Sequence, residues 1–213
     1  MERYNNIAEQ RKWNEADLWS DGGHEWSASF GTTENLWNRE IFDDVKAFRN
    51  KAILEIAPGF GRMTQFLALL TDDLTVVDLN QLCLVKTHAK LEHHVKRYIL
   101  NNGNDLPDVA DSSIDLVFSY DSFVHMHRNV VEDYVAEIAR VLKPGGTAFI
   151  HHSWLLDGEE ESFKNWAGRA TMNPELFQSY VEKYGLTMKL QKTVQFNSEG
   201  DWSGVDNISI FTK

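Results

Sequence analysis

The stretch "AILEIAPGFGRMTQFLALL", Ala52 to Leu70, decides how the chain is read. It opens as an apolar strand pattern, turns through Gly59-Phe60-Gly61 and continues with apolar residues at helical spacing. A strand, a glycine turn and a helix in that order set backbone N–H groups and a helix N-terminus where a nucleotide binds.

Outward from this stretch the alternation repeats. Strand patterns are predicted at Ala52–Ala57, Leu74–Asp78, Val95–Leu100, Ile114–Ser119 and Thr147–His152. Helix patterns fall at Arg62–Leu70, Asn80–His93 and Asn129–Leu142, and Leu106–Ala110, broken by Pro107, is at most a turn. Near-continuous apolar strands alternating with helices argue for a parallel sheet covered on both faces. A helix near Pro174–Tyr184 precedes strand patterns at Leu186–Asn197 and Val205–Thr212. The connection Ser198–Gly204 is too short for a parallel crossover, so this pair is expected to be an antiparallel hairpin. The fold class expected is α/β, a doubly wound, mostly parallel seven-stranded sheet with a C-terminal antiparallel hairpin.

Bulk properties narrow the class of function. The chain has 213 residues, 42% hydrophobic and 25% charged, which suits one soluble α/β domain. No apolar run approaches the roughly 20 residues that cross a bilayer, and the N-terminus is too polar for a secretory signal. The single cysteine, Cys83, excludes an internal disulfide and points to the cytoplasm. A net charge of −11 without a basic cluster argues against nucleic acid and for a small-molecule substrate. A homodimer stays open.

Residues 1–50 are read as a helical cap or lid on a domain at 51–213. They hold four of the seven tryptophans: Trp13, Trp19, Trp26 and Trp37. Thr33 is expected to cap a helix from about Glu34 to Arg49. Trp26 and Phe30, beside a Gly pair, are candidates to cover a ligand, against the plainer reading that they pack this segment onto the domain.

The glycine spacing separates two cofactor classes. A dinucleotide loop wants a third glycine three residues after Gly61, where Thr64 stands. Read backward, Glu55-Ile56-Ala57-Pro58-Gly59-Phe60-Gly61 resembles motif I of class I S-adenosylmethionine-dependent methyltransferases, with Ala57 in place of the first glycine. Asp78 ends the second strand in "LTVVDLN", about twenty residues on, where a carboxylate accepts from both ribose hydroxyls. "NGNDLPDVADSSIDLVFSYDSFVHM" is similar to the family's adenine-holding stretch, and "IARVLKPGGTAFIHHS" to its Pro-Gly-Gly turn before the fifth strand. The resemblance covers Ala52 to Lys213. It implies S-adenosyl-L-methionine as cofactor, held by Glu55, Ala57, Pro58, Gly59, Gly61, Arg62, Asp78, Leu79, Asn104, Asp105, Leu106 and Tyr120. Plainer roles stand beside these: Asp78 as a helix N-cap, Glu55 paired with Arg62, Asp105 bracing a turn. Pro144-Gly145-Gly146 is read as a structural, hairpin-like turn.

Methyl transfer to a hydroxyl calls for a base near neutral pKa. "SYDSFVHMH" ends the fourth strand and "FIHHSW" the fifth. His152 is the first candidate, His125 the second, with Asp121 orienting the site; His127 is read as a surface residue opening a loop. Alternation lets only one of His151 and His152 face the site, and His152 lies nearer the strand tip. Trp26, Phe30, Ser122, His151 and Arg169 are candidate acceptor contacts, Arg169 for an anionic group. No Asp-Asp or Asp-Asn pair follows the fifth strand, so no metal is expected. The N-terminal segment with "SYDSFVHM" and "FIHHSW" looks like a bacterial subgroup found among sugar and polysaccharide biosynthesis proteins, implying O-methylation of a sugar or related metabolite. The alternatives are a nicotinamide-dependent oxidoreductase, a non-catalytic S-adenosylmethionine-binding protein, and methylation of a macromolecule.

Overall fold

Strand–helix alternation builds two units, divided between Asp108 and Val109. The computed structural model describes residues 19–156, 169–194 and 206–213.

In the first unit a 3-10 turn, His24–Phe30, leads into a continuous helical run: α1 (Thr33–Leu36), a π-helical turn (Trp37–Ile41), α2 (Phe42–Val45) and a 3-10 turn (Lys46–Phe48). The cap of this run is Thr32, whose hydroxyl accepts from the Asn35 N–H at 3.1 Å, and not Thr33. The Thr33 hydroxyl is engaged by His24 and Ser27. There follow β1 (Ile53–Ile56), α3 (Thr64–Leu67), β2 (Leu74–Asp78), α4 (Gln81–Leu91) and β3 (Arg97–Leu100). β1 and β3 both pair in parallel with β2, bringing Glu55 opposite Val76 and Asp78 opposite Leu100. Every residue of β1 and β2 is buried, the mark of strands covered on both faces. α3 is one turn, shorter than the helix expected over Arg62–Leu70; the flanking residues close with turn-like bonds such as Gly61 N–H to the Pro58 carbonyl.

The second unit comprises β4 (Ile114–Ser119), a 3-10 turn (Phe123–His125), α5 (Arg128–Val141), β5 (Leu142–Ser153), α6 (Pro174–Lys183), β6 (Thr187–Val194) and β7 (Asp206–Thr212). β4 and β5 run parallel; β7 lies antiparallel between β5 and β6. The fold class is therefore a seven-stranded, mostly parallel α/β sheet ending in an antiparallel pair. The expected connection Ser198–Gly204 lies outside the described residues.

Pro144-Gly145-Gly146 is not a hairpin-like turn. It lies inside β5, where Gly145 donates to the Lys213 carbonyl and Lys213 donates back to Gly146. Gly145 adopts φ +79°, and a Cβ on Gly146 would sit 3.1 Å from the Ile114 carbonyl oxygen. Glycine is needed because backbone crosses backbone at a bulge. Among the described residues no helix is long and apolar enough to cross a membrane.

Candidate cofactor and acceptor sites

In the first unit the carboxyl end of β1 passes into a loop with alternating left-handed residues: Ala57 at φ +58°, Gly59 at +58° and Gly61 at +82°. Ala57 thus takes a conformation that favours glycine, as the substituted motif implies. Its N–H donates to the Val77 carbonyl at 2.7 Å, which ties the loop to the end of β2. α4 packs beneath: Thr87 Oγ1 donates to the Gly59 carbonyl at 2.8 Å, and a Cβ on Gly61 would press within 3.4 Å of Thr87 and Leu91. Pro58 is buried, and the buried Thr64 follows where a dinucleotide loop would need glycine.

Two carboxyl groups are buried at these strand ends. Burial raises Glu55 to about 8, with Asp78 adding to the rise and the Thr64 hydroxyl and Arg62 opposing it. Asp78 is raised by burial to about 7, although N–H groups of Asn80, Gly59 and Leu79 favour its charge. Asp78 is not the helix N-cap. That role belongs to Asn80, whose side chain accepts from the Leu82 N–H at 2.9 Å while its own N–H donates to Asp78 Oδ1 at 2.8 Å. Asn80 went unnoticed in the sequence, though an Asn just before a helix pattern is a standard cap signal.

Beyond β3, Asp105 braces its turn, accepting from the Asn102 N–H at 3.0 Å and the Asn102 side chain at 2.5 Å. Buried Asn101, also unforeseen, organises the same turn: its N–H reaches the Asp78 carbonyl, and its side chain bonds the Asp105 carbonyl and the Gly103 N–H. Leu79 and Asn104 are half-buried and Leu106 fully buried.

The N-terminal segment is clamped onto this loop. Arg62, buried, donates to Ser27 Oγ at 2.8 Å and lies 5.8 Å from the Trp26 ring. Trp19 stacks on Phe60 at 4.2 Å and covers Gly59 so closely that a Cβ there would come within 2.6 Å of the indole. Trp26 stays 36% exposed beside Trp19, whereas Phe30 is buried with the Arg39 guanidinium 4.4 Å over its ring. Phe30 therefore packs the segment and presents no surface to an acceptor.

The second unit holds the histidines. His152 is a core residue: its ring lies flat on Phe177 at 4.1 Å, Nε2 meets Ser209 Oγ at 2.9 Å, and Nδ1 meets the Ser153 carbonyl at 2.9 Å. Burial drives its pKa down to about 3. Contrary to expectation, this packing leaves His152 no surface to offer an acceptor. The strand's parity was unreadable because both flanking faces are apolar and buried.

His151 stacks on the buried Tyr120 at 4.3 Å. Its Nδ1 lies 3.1 Å from both the main-chain N and Oδ1 of Asp121; the neutral ring accepts from that N–H, the protonated ring donates to the carboxylate. Nε2 is 3.5 Å from Asp206 Oδ2. Burial lowers the His151 pKa, but Asp121 and Asp206 outweigh it and the net shift is upward. Asp206, absent from the sequence-based candidates, also receives the Arg169 fork at 2.6 and 3.2 Å. Burial raises its pKa, yet His151 and Arg169 leave it below the ordinary carboxylate range. The result is a chain of alternating acidic and basic groups, Asp121–His151–Asp206–Arg169, built from the turn after β4, from β5 and β7, and from the segment before α6. Arg169 is neither a plain surface residue nor uncommitted to protein: its fork is directed at Asp206.

Asp121 sits at φ +62°, a conformation that Asp tolerates better than most residues and that recurs at functional sites. Ser122 and His125 are half-buried in the turn that follows, and His127 caps α5 by accepting from the Asn129 N–H. Among the described residues no group of three or more His, Cys, Asp or Glu side chains could hold a metal ion.

The first unit fits a polar, cationic cofactor on one observation above others. Glu55 Oε2 and Asn80 Nδ2 are buried without hydrogen-bond partners, an acceptor and a donor that a ligand at these strand ends would satisfy.

Comparison with known proteins agrees. Residues 54–150 match the methyltransferase domain family. Phosphoethanolamine N-methyltransferase 1 of Triticum aestivum is 26% identical over 118 residues, 54% of this chain, and the chain spans about a quarter of that relative's length. The fold is shared with an S-adenosylmethionine-dependent methyltransferase of Leishmania major, at TM-score 0.72 and 12% identity over 97% of this chain and 82% of that one. It is shared too with a TehB-like S-adenosylmethionine-dependent methyltransferase of Corynebacterium glutamicum, at TM-score 0.65 and 18% identity over 97% and 99%. Residues 54–150 are thus similar to a methyltransferase domain, and the chain shares its fold with S-adenosylmethionine-dependent methyltransferases.

Proposed function

We propose that the protein methylates a small polar acceptor in the cytoplasm, at a hydroxyl of a sugar or related metabolite. The observation that carries the reading is the unsatisfied Glu55 carboxylate oxygen beside a loop of left-handed residues, a site completed by a cationic, hydrogen-bonding cofactor. When bound, S-adenosylmethionine supplies an activated methyl group on sulfur. Glu55 and Asn80 meet its polar end, the loop at 57–62 admits close backbone approach, and Asp78 accepts from the ribose hydroxyls. Leu79, Asn104, Asp105 and Leu106 bound the remainder.

On the acceptor side both ring nitrogens of His151 face protein carboxylates, and His152 is locked in the core. The base role therefore falls to His125, half-buried in the turn after β4, with Asp121 and Ser122 orienting the acceptor. His125 would take the proton that the acceptor hydroxyl gives up, the methyl group coming from the cofactor, whose sulfur keeps the electron pair of the broken S–C bond.

A second reading, transfer to an amine, draws on the wheat relatives, which are named as phosphoethanolamine N-methyltransferases. Radiolabelled S-adenosylmethionine turned over with sugars, phenols, carboxylates and small amines separates the two by product. General-base assistance is worth about 10²–10⁴ in rate, so His125→Ala is expected to lower kcat at least tenfold with cofactor affinity unchanged. Full turnover in His125→Ala rejects the base, and NADH binding tighter than S-adenosylmethionine rejects the whole reading.

A further inference from the structure

Arg169 and Asp206 do more than neutralise each other. The fork of Arg169 closes on a carboxylate that is fully buried at the first residue of β7. The residue next to Arg169 then ties into two other places: the Ala170 N–H donates to the Val124 carbonyl at 2.8 Å, and the Ala170 carbonyl accepts from Ser153 Oγ. Val124 is the residue before His125, inside the 3-10 turn. The same Asp206 faces His151, whose other nitrogen holds Asp121 at the turn's entrance. The turn from Asp121 to His125 is thus gripped at both ends, and both grips run to one carboxylate.

We infer that Arg169 and Asp206 are positioning residues for the acceptor reaction, holding the turn that carries Asp121 and His125 through Ala170 on one side and His151 on the other. The inference rests on the assignment of His125 as base. A planar fork explains why arginine stands here, since the Ala170 bond depends on where the main chain next to the guanidinium is held, and a lysine keeps the charge without fixing that geometry. A base displaced by about 1 Å loses on the order of 10²-fold in rate while binding survives.

The test compares Arg169→Lys, Arg169→Gln and Asp206→Asn with the full chain, measuring kcat and KM for the acceptor, cofactor affinity by calorimetry, and the imidazole NMR signals of His125 without substrate. The expected result is a kcat at least tenfold lower in Arg169→Gln and Asp206→Asn, intermediate in Arg169→Lys, with cofactor affinity within twofold and shifted His125 signals. A double variant no worse than the poorer single would show that the pair acts as one unit. Should Asp206→Asn fail to fold, the Arg169 variants decide alone, since that side chain is partly exposed. Unshifted His125 signals with full kcat in Arg169→Gln would overturn the inference, as would an equal loss of cofactor affinity. Shifted signals in Arg169→Gln beside full turnover in His125→Ala would uphold the positioning and reject His125 as base.

Discussion

At Ala57 a methyl group sits where the backbone asks for glycine, and the left-handed region costs an L-residue roughly 1–2 kcal/mol. Glycine would remove that strain but adds about 0.5–1 kcal/mol of unfolded-state entropy. Ala57→Gly should therefore stabilise the ligand-free protein modestly, by up to about 1 kcal/mol, as a raised urea midpoint; a lowered midpoint would mean that the alanine methyl packs usefully. Glu55 makes the opposite trade. Its pKa rises to about 8 from an ordinary 4.5, so its contribution to stability is full below 4.5 and is lost as pH rises toward 8. Glu55→Gln should match the wild type in thermal midpoint near pH 5, exceed it near pH 8, and bind S-adenosylmethionine at least about tenfold more weakly, in line with hydrogen bonds to charged groups. Equal midpoints at pH 8 would show that the carboxylate is satisfied without ligand.

Among the elements, the glycine loop and the N-terminal segment behave as one assembly. Trp19 lies on Phe60 and over Gly59, and Arg62 reaches Ser27. If Trp19 and Trp26 serve as a lid, cofactor should quench tryptophan fluorescence and protect residues 19–30 from proteolysis; equal cleavage with and without cofactor leaves them as packing. Gly59→Ala meets the indole at 2.6 Å in a left-handed backbone, so it should displace Trp19 and shift the emission of the ligand-free protein. The helical run that begins at α1 shows why such segments resist reading. A helix from about Glu34 to Arg49 was legible, but the π-helical turn at Trp37–Ile41 is not written in any local propensity. Its first residue, Trp37, stacks on Phe66.

Taken together, the buried titratable groups set how the whole chain responds to pH. Between about 4.5 and 6.5 the folded state keeps protons on Glu55 and Asp78 that the unfolded chain has lost, while His152 refuses one that the unfolded chain takes up. Among these fully buried groups, two against one leaves the folded state holding the larger number, and half-exposed His24, also lowered by partial burial, subtracts from the margin. Above 6.5 His151 adds to the same side, its stabilisation present below 6.5 and lost as pH rises through its raised pKa. The stability of the ligand-free protein should therefore fall as pH rises from 5 to 8, measured by urea unfolding at fixed ionic strength. A rise over that range would place compensating cations near Glu55 and Asp78.

Local chemistry alone settled much of this protein. Strand–glycine–helix order, Thr64 in place of a third glycine, Asp78 at a strand end and a terminal strand pair too closely joined for a crossover were enough for the fold class and pointed to the cofactor proposed. Such features depend on backbone sterics and short-range periodicity, which a sequence displays directly. Which histidine does what was decided elsewhere. His151 and His152 are identical in composition and adjacent in a strand buried on both sides, so nothing local says which meets Phe177 and which meets Asp121. Asp206 lies 85 residues beyond Asp121, and only the antiparallel placement of β7 against β5 brings its carboxylate to His151. Pairing across such separations is a property of the sheet's register, and register forms only when the tertiary structure does.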